Sequence, residues 1–124
     1  MKFKLIPRKH PGKPEADPLY YASVVRPEKI SLDTLANRIA EISPVNELDT
    51  KTALMTLARV VPEYLAKGAT VELGEIGRLQ VNLSSKGAET EEDFTTDMIK
   101  DCKVSYQAGV KVKKVLKSVE YKKE

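Results

Sequence analysis

Four lysines near the C-terminus, at 111, 113, 114 and 117, form the densest set of cationic side chains in the sequence. Cations at that spacing on a helix could neutralise phosphates, or could simply make a solvated face. Little else has the residue types that catalysis needs. His10 stands alone in a proline-rich loop, with no histidine, cysteine or carboxylate at ligand spacing, and reads as a solvated loop residue. Cys102 is the one cysteine, so no intramolecular disulfide or cysteine-based metal site is available, and the residue reads as a small buried hydrophobe. No Gly-Lys-Ser/Thr phosphate loop is present, and no nucleophile has a base near it. The expectation is a binding protein, not an enzyme, with no cofactor, no metal and no small-molecule substrate.

The elements that position these residues centre on Thr70–Val81, TVELGEIGRLQV. This β-prone run is broken by Gly74 and Gly77, and it reads as strand, bulge, strand, with Val71 and Leu73 on one face and Leu79, Val81 and Leu83 returning to it. Packing accounts for the two glycines better than backbone approach to a ligand. Upstream, Lys2–Ile6 and Tyr20–Val25 alternate as strands around PRKHPGKPEADP, whose prolines exclude regular structure and suggest a long-looped hairpin. Ser31 caps an amphipathic helix carrying Leu32, Leu35, Ala36, Ile39 and Ala40, which Ser43-Pro44 ends. A second helix, capped at Asp49 or Thr50 and stopped by Gly68, presents Ala53, Leu54, Leu57, Val60, Val61, Tyr64 and Leu65. Pro62 should bend it near Ala58. Ser84–Asp101 is polar, with six carboxylates against Lys86 and Lys100, and reads either as a mobile solvated loop or as a segment that recruits a basic partner. Lys103–Tyr106 resumes a strand, Val112, Val115, Leu116 and Val119 line a short helix, and Glu120–Lys123 is a polar tail that could add a last strand.

With 124 residues and a net charge of +3, one domain is expected, and the mild basicity permits nucleic-acid binding without requiring it. The apolar stripe of the second helix exceeds what one small sheet can cover, so a twofold homodimer is expected. The N-terminal residues lack a signal-peptide pattern and no apolar run reaches about 18 residues, so the expected location is cytoplasmic, away from any membrane.

The order of two helices, Gly-x-x-Gly strand, two-stranded excursion, returning strand and basic helix resembles the HU and integration host factor family from Ser31 to Val119. VELGEIGRLQV is similar to that family's Gly-Phe-Gly strand, with Ile76 in the place of the phenylalanine, and SYQAGVKVKKVL resembles the stretch that closes the fold. The N-terminal segment KFKLIPRKHPGKPEADPLYYASVV is similar to that of a HU-like subfamily of gut Bacteroidetes. The resemblance implies an α+β, IHF-like fold: two N-terminal helices, a β-saddle with an extended arm, and a short C-terminal helix. An added β-hairpin and linker would occupy 1–29, the HU-like domain 30–119 with its arm at 84–101, and a tail 120–124. It further implies an intertwined homodimer acting in the nucleoid as a histone-like, architectural protein on double-stranded DNA, mainly through phosphates, with Arg78, Lys111, Lys113, Lys114, Lys117 and Lys86 as contacts. The family's arms are basic and carry a wedging proline. Here the arm is acidic and proline-free, and Val110 replaces a usual lysine. The arm is therefore expected to be disordered or folded against the body, with DNA meeting the saddle. The alternative is a HU fold turned to protein interaction or scaffolding.

Overall fold

The computed structural model describes all residues, 1–124. β1 (Lys2–Arg8) and β2 (Leu19–Val24) pair antiparallel, with Phe3 opposite Val24 and Arg8 opposite Leu19. The two strands are followed by α1 (Leu32–Ile42) and α2 (Glu47–Leu65). β3 (Val71–Glu72), β4 (Gly77–Ser85) and β5 (Ile99–Ala108) form a second sheet in that order. α3 (Val110–Lys117) then leads to β6 (Lys122–Lys123), which pairs parallel to the start of β1 and completes the first sheet in the order β2-β1-β6.

α1 and α2 each begin where a side chain satisfies an orphan amide. Ser31 Oγ accepts from the Thr34 amide at 3.2 Å. At α2 the cap is Asn46, whose Oδ1 accepts from the Asp49 amide at 2.8 Å, so the helix starts before the expected Asp49 or Thr50. α2 continues through Pro62, which lacks the amide that would bond the Ala58 carbonyl, and the helix ends within one turn of it. Ala36, fully buried, sits in the α1–α2 pair together with Thr50, whose hydroxyl donates back to the Asn46 carbonyl at 2.8 Å. Across the same pair Lys51 Nζ meets Asp33 Oδ1 at 2.6 Å, and this hydrogen bond and charge raise the lysine above its ordinary pKa of 10.5.

The segment at Gly74 and Gly77 is not a bulge within one strand. Val71 pairs with Leu79 and Glu72 with Arg78, so the chain reverses there through a 3-10 turn, Gly74–Ile76, and the two strands share a face by pairing. Gly77 has φ +138°, and a Cβ on it would lie 2.2 Å from the Gln107 carbonyl oxygen and 2.9 Å from the Gly109 nitrogen. The close approach is to the protein's own backbone.

The arm also differs from expectation. The β4–β5 ladder runs out to Ser84–Asp101 and Ser85–Ile99, with Lys100 bulged between them. Beyond it the Lys86 amide donates to the Met98 carbonyl at 2.8 Å, and internal turns close the end. The segment is thus the ordered end of a β-ribbon, because backbone pairing, to which polar side chains are no obstacle, holds it. Cys102 is exposed, a second correction, since the apolar face that it shares with Leu83, across the ladder, is left uncovered.

Candidate functional site

Alternation along β4 and β5 gives the ribbon two unlike faces. Leu79–Tyr106, Val81–Val104 and Leu83–Cys102 are cross-strand pairs on one side; Arg78–Gln107, Gln80–Ser105 and Asn82–Lys103 are pairs on the other. The polar side is knit together by its own side chains. Arg78 Nε donates to Gln107 Oε1 at 2.7 Å, and Gln107 Nε2 donates to Gln80 Oε1 at 3.0 Å. Asn82 Nδ2 donates to Ser105 Oγ at 3.0 Å. Holding Nε in this way fixes the guanidinium plane and leaves its terminal nitrogens to meet an anion.

This ladder leads into the start of α3, where the Gly109 amide donates to the Ile76 carbonyl at 2.9 Å and seats the helix against the 3-10 turn. Between strand and helix lies an open groove of about 330 Å³ whose lining includes Arg78, Gln107, Gly109 and Lys113. Arg78 and Lys113, far apart in sequence, thus come to one place. Glu72 borders the same groove and moderates its positive field.

The other expected contacts divide. Lys117, one turn beyond Lys113, shares its side of α3, whereas Lys114 is about 100° round the helix from Lys113 and stands between Lys117 and Lys111. Lys111 turns the other way, where its Nζ is 3.2 Å from Glu75 Oε2, at the edge of an apolar hollow lined by Ile76, Val112, Val115 and Leu116. Lys86 stands at the far end of the arm, beside the loop that carries Glu89, Glu91, Glu92 and Asp93. Gln80, Asn82, Ser105 and Gln107 were not singled out from sequence, although the alternation RLQVNLS against KVSYQ signals them. Amides and hydroxyls in such a row can donate to phosphate oxygens. The arrangement can therefore grip an extended anion, and no cluster of histidine, cysteine and carboxylates that could hold a metal is present.

No curated protein matches the chain in sequence. Among solved structures it is similar to a candidate bacterial DNA-binding protein from Bacteroides vulgatus ATCC 8482, with a TM-score of 0.62 and 15% identity over 98% of this chain and 47% of that one. At that identity the likeness is one of fold, and the chain spans about half the length of that protein. No helix is long and apolar enough to cross a membrane. The family model described as an HU domain fused to wHTH, Ig or glycine-rich motif matches residues 1–123, and the chain belongs to that family.

Proposed function

We propose that this protein is a non-catalytic, architectural DNA-binding protein of the bacterial nucleoid that works as a homodimer and holds duplex DNA by its phosphates. The observation that carries this reading is the convergence of Arg78 and Lys113 on one groove, with Lys117 a turn beyond Lys113 on the same side of α3, Lys114 next round the helix, and a row of neutral donors leading to it. The HU-type family and the fold shared with a candidate DNA-binding protein support it. Little base discrimination is expected, since cations and backbone-directed donors set position and not sequence.

Support for the dimer comes from surface area. A compact monomer of 13.8 kDa would expose about 6,600 Å². This chain exposes 10968 Å², an excess of about 4,300 Å² to which the projecting ribbon and hairpin contribute. Leu57, Val60, Tyr64, Val104 and Tyr106 are all exposed on faces that should be core. An obligate interface of roughly 2,000–5,000 Å² would cover them.

Gel shifts with linear, nicked and four-way DNA across a salt series test the proposal. Binding at low salt that weakens steeply as salt rises is expected. No shift with any of the three at low salt would refute it and favour a HU fold used for protein contacts, a use to which the acidic arm is suited.

A further inference from the structure

The chain's positive charge is not where the groove is. Residues 30–119 carry twelve Lys or Arg against thirteen Asp or Glu, a net of minus one, and residues 120–124 carry two of each. Residues 1–29 carry seven cations against three carboxylates, a net of plus four, so the whole surplus of the protein belongs to the N-terminal segment. None of those seven cations is in an ion pair, whereas Arg38, Lys51, Lys103 and Lys111 in the rest of the chain are.

The β2-β1-β6 sheet places three of these seven cations on one side. Lys2, Lys4 and Arg8 fall at even positions of β1, and their ladder partners are Lys122, Ser23 and Leu19, with Ile6 and Tyr21 paired between them. No carboxylate is among these positions. The reverse side is mostly apolar, with Phe3, Ala22 and Val24 joined by Met1 and Tyr121 around a hollow of about 510 Å³ and Lys123 beside Phe3 at its edge. Lys2 lies directly beside Lys122 in the ladder, and like charges so placed destabilise a sheet. Glu124, whose amide donates to the Phe3 carbonyl at 2.9 Å, is the one carboxylate that the ladder brings to the edge of this face, and four cations against it depart from the mixed charge that solubility alone would favour.

We infer that the cationic face of this N-terminal sheet is a second surface for duplex DNA, contacting phosphates through Lys2, Lys4, Arg8 and Lys122. The inference rests on the DNA-binding reading above and adds to it a site outside the saddle. A body of net charge minus one exerts little long-range pull on a polyanion, and the sheet supplies the field that the body lacks. β1 is about 20 Å long at roughly 3.3 Å per residue, enough to follow several phosphates along one strand.

The test uses the full chain and a linear duplex, with affinity measured across salt for wild type, for K2Q/K4Q/R8Q and for the saddle variant K113Q/K114Q. If the three N-terminal cations each meet a phosphate, the triple variant flattens the slope of log K against log salt by about 2.7. Wild type should then lose about 40-fold more affinity than the variant between about 50 and 200 mM salt. The charge-keeping variant K2R/K4R/R8K should restore the slope, and matched thermal melts should show all variants folded. An unchanged slope in the triple variant beside a flattened one in the saddle variant overturns the inference and leaves the proposed function standing. Wild type that binds no DNA removes both. Loss of binding to phosphatidylserine vesicles in the triple variant, with its DNA slope intact, would assign the face to a membrane surface and overturn the inference.

Discussion

Replacing Gly77 with alanine should damage both the fold and the groove. Gly77 has φ +138° and ψ −156°, a region essentially reserved for glycine, and holding another residue there costs about 1–3 kcal/mol. The added Cβ would also stand 2.2 Å from the Gln107 carbonyl oxygen, a backbone atom fixed in the β4–β5 ladder, and 2.9 Å from the Gly109 nitrogen. Relief requires the strands to part at Gly77–Ala108 and loosens the Gly109 to Ile76 hydrogen bond that seats α3; losing one or two such bonds adds about 1–3 kcal/mol. A total of about 2–6 kcal/mol, at roughly 4 °C for each kcal/mol in a chain of this size, lowers Tm by about 8–24 °C. The assay is thermal unfolding by circular dichroism at fixed protein concentration. Gly87→Ala is the control, since a Cβ there meets nothing within 4 Å. If Gly77→Ala melted within about 2 °C of wild type, as the control should, the role given to the turn would be wrong.

Other consequences can be checked independently. Sedimentation should find a dimer at micromolar concentration, and Leu57→Glu combined with Val104→Glu should abolish it; a folded wild-type monomer would contradict the proposed interface. Ala36→Leu should force α1 and α2 apart and cost about 1–3 kcal/mol in urea unfolding, because a fully buried methyl leaves no room for an isobutyl group. Replacing Gly87–Asp97 by a two-residue Asn-Gly turn removes five carboxylates and no cation, so DNA affinity should hold or rise; abolished binding would show that the arm grips DNA. Because Asp33 raises the Lys51 pKa, the pair's contribution is fully present below about 10.5 and fades as pH rises through the folded-state value; Lys51→Met should remove that alkaline dependence, seen in urea midpoints against pH.

The sequence made α1 legible because its cap, its periodicity and its Ser-Pro stop all agree. α2 was misplaced at its start because Asn46, Glu47 and Leu48 fall outside the apolar stripe, and only the cap geometry shows where the helix begins. Gly74 and Gly77 announced a special backbone, but not which one, since a bulge and a reversal both need glycine. The choice rests on the pairing of Val71 with Leu79, a non-local fact. The ribbon's outer strands were hidden for a related reason: Ser84, Ser85, Lys100 and Asp101 have poor strand propensity, and backbone bonds to the opposing strand hold them regardless. Cys102 was misread because burial was assigned by residue type, whereas its face is one that a single chain does not cover. At the site, Lys113 was legible as a cation, but its meeting with Arg78 depends on Gly77 and Gly109 closing the turn against the helix.

The central claim is that duplex DNA is held by phosphate contacts centred on the Arg78–Lys113 groove. The most direct measurement is the slope of log K against log salt for wild type and for K113Q/K114Q on the same duplex. The account predicts a steep negative slope for wild type, flattened by about 1.8 when the two lysines are neutralised. A slope that the double variant leaves unchanged would place the phosphate contacts elsewhere and contradict the account.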